Sequence, residues 1–163
     1  MENQPESVRE LFDVEYAGLV RLATLITGDV AAAEDAVQEA FARAVARWHR
    51  LRSYDRPGAW VRRVTIRLAV RDRGRRRREL PSELLESPVA ETAAPDPELI
   101  DALRALPPNQ RAALVLLYFE RLTTDEVADE LGVRPSTARS HLHRGRAELA
   151  RRLSIPEVVT DGH

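Results

Sequence analysis

The chain has 163 residues, 44% of them hydrophobic, which is enough for one medium-sized domain or two small ones. It contains no cysteine, which excludes disulfide bonds, thiolate metal sites and a cysteine nucleophile. Its net charge is only −1, so the distribution of charge along the chain, rather than its sum, must indicate any polyanionic partner.

The N-terminal part of the sequence predicts helices. Alanine, leucine, arginine and glutamate are abundant, and no alternating β-branched run is long enough for a strand, so we expect an all-α fold. A first helix over residues 7–27 should end at Gly28, where glycine favours a left-handed cap. Asp29 should cap a second helix that extends to about residue 48. Helical spacing predicts that its core side is formed by Val37, Phe41, Ala44, Val45 and Trp48.

A change in composition predicts two small domains. A loop over residues 50–56 precedes a third helix that begins at Pro57, since proline is favoured in a first turn. Residues 79–97 then combine prolines and acids with no base, which is typical of a flexible linker. We therefore expect a three-helix domain over residues 5–78, the acidic linker, and a second helical domain over residues 98–153.

The second domain contains the pattern of a helix-turn-helix. Thr123 and Glu126 form a capping box that opens a short helix, and a tight turn at Gly132 leads to a last helix that begins at Pro135. Such a second helix enters the DNA major groove with its N-terminal half near the bases. A plain helical hairpin is the alternative. The candidate base-reading residues of this half are Ser136, Thr137, Arg139, Ser140, His143 and Arg144.

Positive charge is concentrated between residues 42 and 78. This segment contains 14 arginines against two aspartates, a net charge of +12, which attracts a phosphate backbone. Arg63, Arg67 and Arg71 are spaced four apart and form one stripe on the predicted third helix. Near it, Tyr54 and Trp60 are suited to stacking on unpaired bases, although core packing of Trp60 and a loop-anchoring role of Tyr54 are equally consistent with the pattern.

Other chemistry has little support in the sequence. Asp35, Gln38 and Glu39 lie on one polar face of the second helix, which is either a solvated surface or a site for a basic partner helix. His141 and His143 are two residues apart and point in different directions on a helix, so no metal site is expected. There is no phosphate-binding glycine loop and no nucleophile motif. We therefore expect no enzyme activity and no cofactor.

The sequence also suggests where the protein is located. It shows no signal peptide and no membrane-spanning stretch, so we expect a cytoplasmic protein with no membrane insertion.

These motifs together resemble one known family. In order along residues 8–153, they are similar to the extracytoplasmic-function (ECF) sigma factors of bacterial RNA polymerase. Two departures concern the last helix: Arg134 stands where a hydroxyl cap is usual, and Ala138 replaces a larger aliphatic residue. Residues 34–41 and 56–63 resemble the second sigma region, and residues 103–111, 122–133 and 137–146 resemble the fourth.

The resemblance implies an alternative sigma factor that directs promoter-specific initiation by recognising −10 and −35 elements and melting the −10 region. Asp35, Gln38 and Glu39 would dock on core RNA polymerase (its β and β′ subunits), and the linker would lie toward the active-site cleft. Further implied are an anti-sigma factor as a partner and association with the nucleoid through the polymerase. The alternative is a stand-alone helix-turn-helix regulator. The −10 element would be contacted by Arg52, Tyr54, Trp60, Arg63, Arg67 and Arg71, and the −35 element by the six candidates of the last helix.

Overall fold

The structure, a computed structural model, describes residues 5–71 and 96–154. All secondary structure in these two segments is helical, which confirms the predicted all-α class. No helix within them is long and apolar enough to cross a membrane. The helices are α1 (Val8–Thr27), α2 (Val30–Leu51), α3 (Pro57–Arg71), α4 (Pro97–Arg104), α5 (Pro108–Tyr118), α6 (Thr124–Leu131) and α7 (Pro135–Leu153).

α1 begins and ends, and α2 begins, where short polar residues and glycine predict. The Ser7 hydroxyl accepts a hydrogen bond from the Glu10 amide at 3.2 Å, which caps α1. Gly28 ends this helix in the left-handed conformation, with a φ of 75°. Asp29 then accepts a hydrogen bond of 2.9 Å from the Ala31 amide and starts α2. Each cap satisfies a backbone group that the helix would otherwise leave unpaired, so α1 can end at Thr27 and α2 can begin at Val30.

Two predictions about α2 were wrong. The helix continues to Leu51 instead of ending near Trp48, and Leu51 is 1% exposed. Burial of this leucine stabilises the additional turn, so the predicted loop over residues 50–56 begins later. Val45 was expected in the core but is 63% exposed, because its neighbour Ala44 occupies the position that faces α1 and α3. Trp48 is partly buried and packs against the core.

Small residues let the first three helices approach closely. α2 presents the buried residues Ala33, Ala36, Ala40 and Ala44 towards α1 and α3. Short side chains at these positions allow larger apolar side chains of the neighbouring helices to interdigitate, which gives the dense packing of a protein interior. The larger buried side chains are Leu11, Leu19, Leu22, Ile26, Val37, Phe41, Leu51, Val61 and Ile66.

Among the last four helices, α6 and α7 form the predicted helix-turn-helix. The Thr123 hydroxyl accepts from the Glu126 amide at 3.2 Å while the Glu126 carboxylate accepts from the Thr123 amide at 2.7 Å, which confirms the capping box of α6. Gly132 makes the turn in the left-handed conformation, with a φ of 68°. α7 begins without a side-chain cap at Arg134, and Ala138 is fully buried, so the small residue at this position lies within the packing of the C-terminal helices.

The N-terminal half (residues 5–71) and the C-terminal half (residues 96–154) lie against each other. α1 and α3 contact α5, and α3 also contacts α6. The buried apolar residues of both halves belong to one continuous cluster. The sequence predicts each half but not this packing, because neither the helical periodicity nor the linker composition specifies how the halves meet.

Candidate nucleic-acid and polymerase interfaces

The recognition helix α7 presents its predicted base-reading residues at the surface. Leu142 is buried and Leu149 is partly buried, so this side of α7 packs against the other C-terminal helices. Thr137 and Ser140 are partly buried at the border of the packed side. The structure therefore brings the six candidates onto the N-terminal half of one helix, with Ser136, Arg139, His143 and Arg144 exposed.

Two neighbours of this surface were not predicted. The Arg146 Nε donates a hydrogen bond of 2.8 Å to the Tyr118 hydroxyl, and its guanidinium carbon lies 5.6 Å from the centre of the tyrosine ring. This contact fixes an arginine of α7 against α5 through a cation–π arrangement. His141 lies between the exposed positions of α7; burial lowers its pKa, and the positive charge of Arg144 lowers it further. The sequence gives no signal for the Arg146–Tyr118 contact or for the burial of His141, since both depend on how α7 packs.

The arginine stripe of α3 is a surface feature, as its spacing predicts. Arg63, Arg67 and Arg71 are all exposed, while Val61, Thr65, Ile66 and Ala69 on the other sides of the helix are buried. Arg52 and Tyr54 are exposed in the turn before α3, where 46% of the Tyr54 surface is accessible. Trp60 is partly buried and packs against the core, so this residue is only partly accessible.

The C-terminal half contacts this stripe directly. The Arg67 guanidinium donates long hydrogen bonds of 3.4 Å to the backbone carbonyls of Asp129 and Glu130 at the end of α6. The Arg63 Nη2 atom lies 3.8 Å from a Glu130 carboxylate oxygen. Two residues predicted to contact DNA are therefore engaged by the first helix of the helix-turn-helix, an arrangement that sequence spacing does not predict.

The polar face of α2 is fully at the surface. Asp35, Gln38 and Glu39 are exposed, and Glu39 pairs with Arg43 one turn later at 2.9 Å. Val45 lies two turns after Gln38 on the same side of the helix and adds an exposed apolar side chain to this face. Arginines 75–78 and residues 79–95 of the predicted linker lie outside the described residues.

Comparison with known proteins assigns the chain to a family. The family model of sigma-70 region 2 matches residues 11–79, and that of sigma-70 region 4 matches residues 97–149. The chain is 36% identical over 140 residues to the RNA polymerase sigma-E factor of Streptomyces coelicolor, covering 83% of this chain and 79% of that protein. The chain belongs to the ECF group of the sigma-70 family.

Two further comparisons agree with this membership. The ECF RNA polymerase sigma factor SigL of Mycobacterium tuberculosis strain H37Rv is 32% identical over 161 residues, which cover 93% of this chain and 90% of SigL. The structure of sigma factor RpoE from Bartonella quintana, solved with the anti-sigma factor NepR, superposes with a TM-score of 0.63 over 91% of this chain and 98% of RpoE. At 21% identity, this second similarity shows the fold.

Membership in this family establishes the general function of the protein. The protein is an alternative sigma factor, and it directs transcription initiation by RNA polymerase at specific promoters. The family contains both a region 2 and a region 4, which this chain has in the same order. This order favours the sigma role over the alternative of a stand-alone helix-turn-helix regulator.

Proposed function

We propose that this ECF sigma factor reads promoters with two surfaces, the N-terminal half of α7 for the −35 element and the arginine stripe of α3 for the −10 element. The observation that carries this proposal is that both surfaces are exposed, polar or basic, and on separate halves of the chain. A promoter also presents two separate elements, so one sigma factor with two weakly binding modules gains affinity when the polymerase holds them at the right spacing.

The proposed −35 reader is the exposed N-terminal half of α7. Arg139 and Arg144 are suited to bidentate contacts with guanine, while Ser136, Thr137, Ser140 and His143 offer single hydrogen bonds to base edges or phosphates. The helix has an apolar side held by Leu142, so its polar side is presented to a major groove as a rigid unit. Rigidity reduces the entropy lost on binding, which favours discrimination between sequences.

The proposed −10 surface combines charge with aromatic rings. Arg63, Arg67 and Arg71 would neutralise backbone phosphates, joined by Arg52 from the preceding turn. Tyr54 and the accessible part of Trp60 would stack on bases that leave the duplex. Unstacking a base costs on the order of a few kcal/mol, and each base–aromatic contact returns about 1–3 kcal/mol, so the two rings would offset much of the cost for the bases they hold.

The proposed docking surface for core polymerase is the exposed face of α2. Asp35, Gln38 and Glu39 would contact basic side chains on the clamp of the β and β′ subunits. Val45 adds one exposed apolar side chain to this face, and protein interfaces combine apolar contacts with a polar rim. Docking through α2 leaves α3 and α7 available for promoter DNA, because the three surfaces lie on different helices.

As a whole, the protein would be a non-catalytic subunit of RNA polymerase. It would act in the cytoplasm and be associated with the nucleoid through the polymerase. An anti-sigma factor would keep it from competing continuously for core enzyme; the similarity to RpoE, which was solved with such a partner, supports this idea. The acidic segment over residues 79–97 would lie toward the active-site cleft of the polymerase, where its charge resembles that of RNA.

Run-off transcription tests the proposal. Core polymerase is supplied with this protein and a library of promoter fragments from the same genome, and transcripts that depend on the protein are mapped. The triple variant D35A/Q38A/E39A should lose transcription and polymerase binding, whereas Asp13→Ala, an exposed acid on α1, serves as the matched control. Absence of dependent transcripts, together with tight binding of duplex DNA without polymerase, would instead indicate a stand-alone regulator.

A further inference from the structure

Arg146 continues the exposed side of α7 beyond the half that is proposed to read bases. Arg139, His143 and Arg146 are exposed and follow one another at intervals of four and three residues, which places them on one side of the helix. Seven residues of helix span about 10 Å, so Arg146 lies two turns beyond Arg139. The major groove of DNA is about 12 Å wide. A cation at this distance from the base-reading residues reaches the edge of the groove, which phosphates line.

The packing of α7 on α5 holds this arginine beside Tyr118. Gly145 is buried, and a Cβ atom there would lie 3.0 Å from the Leu114 Cδ1 atom, so this glycine lets the two helices approach closely. Tyr118 lies one turn after Leu114, and Arg146 directly follows Gly145. The close approach therefore brings the two side chains together. The Arg146 Nε donates a hydrogen bond of 2.8 Å to the Tyr118 hydroxyl, and the guanidinium carbon lies 5.6 Å from the ring centre.

The contact with tyrosine uses only one edge of the guanidinium. An arginine side chain has five N–H donors, and the bond to Tyr118 takes the one on Nε. The two terminal nitrogens of Arg146 form a second edge, whose spacing matches two oxygens of a phosphate. The pair therefore presents an anion with a bidentate donor on a fixed support.

Stability alone does not account for this pair. Arg146 and Tyr118 are both exposed, and a contact between exposed polar groups contributes little to folding because water competes for the same groups. Holding a long arginine side chain in one arrangement also costs conformational entropy. An anion that binds the held guanidinium does not meet this cost again, so the contact favours anion binding more than it favours folding.

We propose that Arg146 binds a DNA phosphate at the edge of the −35 surface and that Tyr118 is its positioning residue. The ligand is a backbone phosphate of the promoter, contacted when the N-terminal half of α7 lies in the major groove. This inference rests on the proposed function in one respect, the assignment of α7 to the −35 element. The tether to α5 keeps Arg146 away from base edges, so the contact strengthens binding to every −35 sequence and carries no base preference.

Promoter binding by holoenzyme at several salt concentrations tests the proposal. Holoenzyme assembled from core polymerase and the full-length chain is titrated with labelled promoter fragments that carry the preferred −35 element or single-base substitutions in it. We expect Arg146→Ala to lower the affinity about tenfold on each fragment, the effect of one charge-assisted hydrogen bond. The slope of log affinity against log salt should become shallower by about 0.9, the value for one lost phosphate contact. Arg151→Ala, near the end of α7, is the matched control and should keep the wild-type slope.

Three further variants test the positioning role of Tyr118. Tyr118→Phe keeps the ring and removes the hydroxyl, so the affinity should fall about twofold to threefold on all fragments. The same substitution should have no effect in the Arg146→Ala background, because the hydroxyl acts through the arginine. Arg146→Lys keeps the charge without Nε and the planar edge, and we expect a wild-type salt slope with a reduced affinity. Tyr16→Phe, in α1, is the matched control and should bind as wild type does.

Folding is checked separately by urea denaturation. The free energy of unfolding of the Arg146 and Tyr118 variants should stay close to that of wild type, because both side chains are exposed.

A wild-type salt slope for Arg146→Ala would overturn the phosphate contact and leave only a structural tie between α5 and α7. An affinity loss confined to one base of the −35 element would also overturn it, by assigning Arg146 to a base. An equal effect of Tyr118→Phe with and without Arg146 would contradict the positioning role. Failure of the proposed function is distinguishable, because Arg139→Ala would then leave the base preference at the −35 element unchanged.

Discussion

The Arg111 guanidinium donates a hydrogen bond of 2.7 Å to the backbone carbonyl of Ile26, which joins the start of α5 to the end of α1. It also donates to the carbonyls of Leu103, Arg104 and Leu106, at 2.9–3.0 Å. Arg111 is 8% exposed, and its pKa lies below the ordinary value because burial disfavours the charge and Arg104 adds repulsion. One buried cation thus satisfies four backbone acceptors around the ends of α1 and α4.

Replacement of this cation should destabilise the protein strongly. In Arg111→Met, four carbonyls lose a charged donor at a site with little access to water. We expect the free energy of unfolding, measured by urea denaturation at pH 7, to fall by about 2–4 kcal/mol. Arg47→Met, an exposed arginine of α2, should change it by no more than about 0.5 kcal/mol. Equal losses in the two variants would contradict the role of Arg111.

The capping box of α6 should contribute measurably to stability. Thr123→Ala removes the hydroxyl that accepts from the Glu126 amide, and we expect a loss of about 1 kcal/mol in the free energy of unfolding. Thr124→Ala, the adjacent threonine at the first helical position, is the matched control. If both alanine variants unfold at the same urea concentration as wild type, the capping box contributes nothing to stability.

The same capping box predicts an acid dependence. Hydrogen bonds from the Thr123 amide and hydroxyl lower the pKa of Glu126 below its ordinary value of 4.5. Because the folded pKa is lower than the unfolded one, the stability from the carboxylate is present above pH 4.5 and is lost as the pH falls through the folded pKa. Urea denaturation between pH 3 and pH 6 should therefore show a shallower acid loss in Glu126→Gln than in wild type.

We expect His141 to make the free energy of unfolding decrease when the pH is lowered into the mildly acidic range. Burial and Arg144 lower its pKa from the ordinary value of 6.5, so the unfolded chain binds a proton more readily than the folded chain does. The free energy of unfolding should be highest above pH 6.5 and decrease as the pH falls below it. His141→Gln should reduce this decrease. A pH profile of the His141 variant identical to that of wild type would contradict the prediction.

Arg139 should discriminate between −35 sequences. Because a bidentate contact reads one base pair, Arg139→Ala should weaken binding of the preferred −35 element by about 1–3 kcal/mol and reduce the discrimination between bases at that position. The measurement is transcription by holoenzyme from promoters with each base substituted in turn. Arg151→Ala, at the far end of α7, is the matched control. An equal loss on all promoters would assign Arg139 to phosphate contact.

Local sequence patterns predicted most of the individual elements. The caps at Asp29 and Thr123 and the left-handed glycines 28 and 132 lie where the sequence places them, because capping depends on residues within three or four positions of each other. The error at Val45 has the opposite cause. Two consecutive apolar residues both fit a helical face, and only the position of the neighbouring helices decides which one is buried.

The sequence alone determined the fold class, the helix-turn-helix and the arginine stripe of α3, since helical period, capping and charge spacing are local properties. The tertiary structure decided what those surfaces contact. It paired Arg62 with Glu120, placed the end of α6 on Arg67, and joined the halves through Arg111 and Ile26. Such contacts connect residues 58 to 85 positions apart, and they depend on the orientation of packed helices, which no local pattern specifies.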